Sequence, residues 1–149
     1  MRHLITFLAT GCYAGKIPVA PGTWGTLVGV LFYLLIGHLL LPIYIVTVLA
    51  FIAVSIWISG FAQKIFEDED PQEVVIDEIA GFLVTMAFHE PKFWTIVFGF
   101  VLFRVFDIVK PFPVRWIENK FRDGRGIVLD DVFAGVYANI LLSIVLKIL

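Results

Sequence analysis

Between Leu27 and Gly60 the chain runs for 34 residues without a Lys, Arg, Asp or Glu. A soluble domain, in which about a quarter of residues are charged, does not sustain such a run. As one straight helix it would be about 51 Å long at ~1.5 Å per residue, well beyond the ~30 Å hydrocarbon core of a bilayer. Pro42 divides it into 27–41 and 43–60, which predicts a helical hairpin with a tight turn at 38–42. A third charge-free run covers 132–146, and two shorter ones, 79–88 and 93–103, flank His89-Glu90-Pro91-Lys92. Runs that short are more often buried or re-entrant than spanning. These two cross only if Asp77, Glu78, Arg104 and Asp107 enter the interface. Apolar residues make up 60% of the chain, charged ones 16%, and the net charge is -2. That balance excludes a disordered tail, a coiled coil and a nucleic-acid binder. The single Cys12 excludes a disulfide framework, a Cys-rich zinc site and a redox pair. The expected fold is an all-α, small polytopic membrane protein, one domain over 1–149, with about four transmembrane helices and a short N-terminal helix.

Charge placement predicts the orientation. If the turns at 38–42 and 89–92 lie outside, then 11–26, 61–78 and 104–131 lie inside. Eight of the eleven Lys and Arg fall in those inner segments: Lys16, Lys64, Arg104, Lys110, Arg115, Lys120, Arg122 and Arg125. The positive-inside rule then assigns this face to the cytoplasm. Twelve of the thirteen acids share it, Glu118 among them, so one face carries nearly all the chemistry. At the N-terminus, Arg2 and His3 before Leu4–Ala14 imitate a signal peptide. The apolar stretch is short and no small-residue cleavage pattern precedes Gly15, which favours a retained interfacial helix.

Three polar elements interrupt the apolar pattern. Pro18 to Thr26, with two prolines and two glycines, reads as a loop. It is either a rigid turn with Thr23 or Thr26 as N-cap, or a backbone cradle offering N–H groups and hydroxyls to a phosphate. Asp77 and Glu78 stand where a polar segment turns into an apolar helix, and helix capping explains them as readily as chemistry does. Yet Asp77-x-x-Ala80-Gly81 is repeated as Asp131-x-x-Ala134-Gly135, with Asp130 in front. Small residues one turn beyond each Asp let two helices approach closely, which would gather the acids. Carboxylates gathered beside apolar helices are costly unless paired or metal-bound, and this favours a cation site. Arg104, Asp107 and Lys110, spaced i, i+3, i+6 before Pro111, share one broad helical face. They form either an internal ion pair with snorkelling basic ends, or a metal ligand beside two phosphate-binding cations.

Four blocks occur in series: Pro21-Gly22-Thr23-x-Gly25-Thr26, Asp77-Glu78-x-Ala80-Gly81, Arg104-x-Phe106-Asp107-x-x-Lys110-Pro111-x-Pro113 and Gly126-x-x-x-Asp130-Asp131-x-x-Ala134-Gly135. Together they closely resemble the phosphatidylglycerophosphatase A family of bacteria, over about 15–135. The resemblance implies a Mg²⁺-dependent lipid phosphatase of the bacterial inner membrane, multi-pass, with its active site facing the cytoplasm. It would hydrolyse phosphatidylglycerophosphate, an anionic phospholipid, to phosphatidylglycerol and inorganic phosphate. Residue by residue, the metal ligands would be Asp77, Glu78, Asp107, Asp130 and Asp131. Lys110 would act with them in catalysis, and Arg104, Lys110, Gly22, Thr23 and Thr26 would bind substrate.

The chemistry agrees with that implication. Phosphate-monoester hydrolysis is among the slowest uncatalysed reactions, and metal ions that activate water and neutralise oxyanions are a common solution. Mg²⁺ takes oxygen ligands, and five carboxylates suffice for one ion or two. Attack by metal-activated water is the expected mechanism, with a covalent aspartyl-phosphate as its alternative. Other phosphatase routes lack residues. Cys12 has Pro18, not Arg, six positions on, and His38 and His89 fall in the outer turns. Asp68-Glu69-Asp70 imitates an aspartyl-nucleophile motif but reads as solvated linker, and Asp123-Gly124 resembles only a fragment of the CDP-alcohol phosphotransferase pattern. Arg104 to Arg125 holds six basic residues, three acids and the aromatics Phe112, Trp116 and Phe121. That mixture suits an anionic lipid surface or plain juxtamembrane anchoring. The rival function is a small cation transporter using the same acids. Against it, the acids cluster at one mouth and the long runs carry only Asn139 and hydroxyls at depth. A non-catalytic assembly subunit would leave the cluster unexplained.

Overall fold

The computed structural model describes residues 1–148; Leu149 and the side chain of Glu118 lie outside the described residues. The described chain is all-helical, in the order α1 Arg2–Ala9, α2 Pro21–Ile36, α3 Leu41–Phe66, α4 Ile76–Thr85, α5 Phe93–Val109, α6 Val114–Lys120 and α7 Gly124–Ile148. A short 3₁₀ turn, Ala14–Lys16, follows α1. The expected hairpin is present. Pro42 falls in the first turn of α3, where its missing N–H costs nothing, so the turn occupies 37–40 and α3 begins at Leu41. By length and composition α3 and α7 can cross a membrane, and α2 is a shorter apolar helix.

Segment 21–26 is a correction to the sequence reading. It is not a loop: Pro21 is the first residue of α2, and the N-cap is Ala20, with φ 52°, rather than Thr23 or Thr26. Gly25, which suggests a turn, instead forms a contact stripe with Gly29. A Cβ on Gly25 would sit 2.5 Å from Cβ of Val75, and one on Gly29 would sit 3.2 Å from Cβ of Phe82. Their spacing puts both on the α2 face that meets α4 and the residues before it. The inner segment 104–131 is likewise not one loop, since it contains α6 and the first two turns of α7.

The architecture is a ring around α4. This ten-residue helix touches α2, α3, α5 and α7, and eight of its residues are buried. Ile79, Phe82, Leu83 and Met86 pack with Tyr33, Tyr44, Phe103, Ala138 and Leu142 of the surrounding helices. The ring's outer surface is apolar. Leu31 and Leu35 on α2, Val46 and Leu49 on α3, Trp94 and Val101 on α5, and Ile140 on α7 are all more than half exposed. A surface that large and apolar is the mark of a membrane partner.

A short helix inside an apolar ring leaves its last carbonyls without water, and side chains answer for them. Asn139 Nδ2 on α7 donates to the carbonyls of Thr85 at 2.8 Å and Ala87 at 2.7 Å. Tyr44 Oη on α3 donates to Leu83 at 2.6 Å, and Tyr33 Oη on α2 donates to His89 at 2.7 Å. Three ring helices thus hold the far end of α4 and the segment that follows it. Its near end carries the acids.

Candidate active site

Asp77 and Glu78 lie in the first turn of α4, where the helix dipole favours carboxylates. Asp130 and Asp131 are about two turns into α7. What brings the two pairs together is the repeated Ala-Gly step. A Cβ on Gly81 would sit 2.6 Å from the carbonyl oxygen of Asp131, and one on Gly135 would collide with the carbonyl of Gly81. Ala80 and Ala134 are fully buried. The helices therefore cross at backbone contact, a geometry only these small residues permit.

One oxygen each from Asp77, Glu78 and Asp131 lies within 4.8 Å of the other two. Asp77 Oδ1, Glu78 Oε2 and Asp131 Oδ2 are also buried without a hydrogen-bond partner among the described residues. Buried carboxylate oxygens left unpaired are expensive, and like charges at this separation add to the cost. A cation between them removes both penalties. The donors are all oxygen, which fits a hard ion of the Mg²⁺ or Ca²⁺ kind rather than a thiolate-seeking metal.

The other two acids are already engaged. Arg104 Nη1 lies 2.5 Å from Asp107 Oδ2, one turn apart on α5. Lys110 Nζ lies 2.9 Å from Asp130 Oδ2, and Asp130 Oδ1 accepts from the backbone N–H of Asp131 at 2.9 Å. Both basic groups are mostly buried, with side-chain exposures of 18% and 24%, so they do not float in solvent. Lys110 caps α5 in the left-handed conformation, φ 45°. That backbone costs a non-glycine residue about 1 kcal/mol. Such strain is typically kept where a side chain must point to one place.

All five acids, both cations and Gly22 line one cavity of about 280 Å³. A Cβ at Gly22 would sit 2.8 Å from Arg104 Nη1 and would also meet Glu78 Oε1, so the first turn of α2 closes this side only because it is glycine. Thr23 and Thr26 are not among the described lining residues. The Thr26 hydroxyl is buried and donates to the carbonyl of Gly22 at 2.8 Å, inside its own helix. Asp70 also lines the cavity, with Pro71 and Gln72. The sequence reading assigns Asp70 to solvated linker, and its acidic neighbours disguise it. The available signal is Pro71, which turns the segment back toward Asp77.

Fold and site together define an apolar-surfaced helical protein with a buried cluster of carboxylates and basic side chains at one end of its bundle. The profile described as phosphatidylglycerophosphatase A matches residues 7–146. A phosphatidylglycerophosphatase A of Haemophilus influenzae is 37% identical over 90% of this chain and 83% of its own length. The protein of that name from Escherichia coli is 33% identical over 87% and 76%. A Bacteroides thetaiotaomicron protein carrying the provisional name phosphatidylinositol-3-phosphatase is 38% identical over 95% and 92%. No solved structure matches the chain significantly. The chain belongs to the phosphatidylglycerophosphatase A family and is a phosphatase.

Proposed function

We propose that the protein is a Mg²⁺-dependent phosphatidylglycerophosphatase, releasing inorganic phosphate and leaving phosphatidylglycerol. The observation that carries this reading is the convergence of three unpartnered buried carboxylate oxygens with Arg104 and Lys110 in one cavity. The carboxylates would hold the cation, and the two basic groups would meet the oxygens of a phosphate dianion. When bound, Mg²⁺ supplies a Lewis acid for the phosphoryl oxygens and lowers the pKa of water. Asp107 and Asp130 orient the basic groups, each taking one hydrogen-bonding edge and leaving other N–H donors for substrate. The bond broken is the terminal P–O bond, with the water oxygen bonding to phosphorus and a proton passing to the leaving glycerol oxygen. Burial at the helix crossing excludes bulk water, which strengthens each electrostatic contact.

The proposed setting is the bacterial inner membrane, multi-pass, with the acidic end in the cytoplasm. Helices α2, α3, α5 and α7 would face lipid and carry four crossings. Helix α4, with 86–92, would return the chain across inside them. At ~1.5 Å per residue α2 and α5 reach only about 24–26 Å, which local bilayer thinning accommodates. The transporter reading is not favoured, because the polar groups below the cluster are spent on α4 carbonyls and do not form a path.

The direct test is phosphate release from phosphatidylglycerophosphate by detergent-solubilised protein, with Mg²⁺ and with excess EDTA. Phosphatidylinositol 3-phosphate serves as the competing substrate. Mg²⁺-dependent release with preference for phosphatidylglycerophosphate is expected. Undiminished release in EDTA would overturn the metal assignment, and preference for the inositol lipid would overturn the substrate.

A further inference from the structure

A second cavity, about 440 Å³, adjoins the first and shares Asp70 and Asp130 with it. Its far wall is the face of α6 bearing Arg115, then Arg122 in the connection that follows and Ile127 in the first turn of α7. Nothing in the hydrolytic chemistry described above uses this space. Its lining carries four acids, Glu69, Asp70, Asp123 and Asp130, and two arginines, Arg115 and Arg122. Asp130 meets Lys110, and Asp123 meets Arg125 at 2.8 Å, which holds its carboxyl below the usual range. Glu69 faces Arg122 at a loose 3.9 Å, with both side chains about three-quarters exposed, a pair of little strength. With Asp123 and Asp130 paired to cations and Arg122 only loosely held, Arg115 and Arg122 are the groups in this cavity shaped to meet an oxyanion.

We propose that this cavity is the subsite for the phosphodiester of the lipid substrate, with Arg115 and Arg122 as its anion-binding groups. The inference rests on the lipid-phosphatase reading and adds the basis of headgroup recognition. Spacing supports it. From Asp131 to Ile127 is one turn of α7, about 6 Å along the axis. The two phosphorus atoms of phosphatidylglycerophosphate are six bonds apart across glycerol, about 7 Å at the ~1.2 Å per bond of an extended chain. A monoester at the acidic cluster thus sets the diester beside α6. Position supports it as well. Phe112 and Trp116, flanking Arg115 in sequence, are exposed, and Lys120 Nζ stands 4.3 Å over the Trp116 ring, an arrangement suited to headgroup depth.

The test uses the full chain in detergent micelles and the variant Arg115→Ala/Arg122→Ala, whose changed side chains lie on the surface. Phosphatidylglycerophosphate, with monoester and diester, is compared with phosphatidic acid, with a monoester alone. In the variant KM for phosphatidylglycerophosphate should rise about tenfold with kcat nearly unchanged, while phosphatidic acid turnover stays level. Inhibition by phosphatidylglycerol, which keeps only the diester, should weaken by a similar factor. Equal losses on both substrates would overturn the subsite in favour of general surface attraction, and so would an unchanged KM and an unchanged inhibition. Absence of phosphate release by the wild-type protein from either lipid would sink the phosphatase reading itself, an outcome the variant cannot produce.

Discussion

Asp77, Glu78 and Asp131 make one unit, because each supplies an oxygen to the same 4.8 Å cluster. Asp77→Asn or Asp131→Asn keeps shape and removes charge, so either should lower kcat by about 10³-fold or more while the protein still folds. Members of a unit are not additive. The double variant should therefore be scarcely worse than either single one, and losses that multiply would mean independent sites. Asp68→Asn should be nearly silent. Asp70, which lines the cavity, belongs among the test positions and not the controls. Metal removal gives a second measurement. An ion that binds only the folded chain stabilises it, so saturating Mg²⁺ should raise the Tm of the wild-type protein and leave that of Asp131→Asn almost unmoved.

Among the elements, α4 is held at both ends, and each end makes its own prediction. At the crossing, Gly135→Leu would drive a side chain into the carbonyl of Gly81. Overpacking of this kind costs about 3 kcal/mol, and here it also separates the acids. Both Tm and activity should fall, whereas Gly60→Ala, at a glycine inside α3 with open space around its Cβ, should leave activity unchanged and Tm level or slightly higher. At the far end Asn139→Leu strands the carbonyls of Thr85 and Ala87. Each unsatisfied group costs about 1–3 kcal/mol, so Tm should fall even though Asn139 is remote from the acids. The two glycine stripes show what was legible at this scale. The Asp-x-x-Ala-Gly repeat announces a close crossing because it occurs twice with the same spacing. Gly25 is harder to read, because a glycine near prolines is equally the mark of a turn, and only the neighbour at its missing Cβ decides between them.

For the whole molecule the proposed orientation, with the acidic end in the cytoplasm, predicts a labelling pattern. In a Cys12→Ser background, since Cys12 is exposed, Leu40→Cys and Glu90→Cys should react with a membrane-impermeant maleimide added to intact cells. Glu69→Cys should react only after the membrane is opened. The reverse pattern would put the acidic cavity on the side opposite to the one the basic residues predict.

The all-α class and the family were readable in the chain itself, because hydrophobic runs, prolines and motif spacing act locally and leave a pattern along the sequence, whereas α6 stays hidden in a charged segment. The charge-free stretch with Pro42 determined the hairpin, and the acids with their following Ala-Gly steps determined where two helices must touch. Tertiary structure alone decided that the shortest apolar run becomes the centre of the bundle. A ten-residue helix cannot satisfy its own last carbonyls in an apolar setting, and its donors come from Tyr44 and Asn139 on two other helices, while Tyr33 on a third holds the segment that follows at His89. It also decided how the five acids divide. Asp107 and Asp130 find cations, while Asp77, Glu78 and Asp131 keep oxygens with no partner. That division depends on distances between α4, α5 and α7, and spacing along the chain does not encode distances between helices.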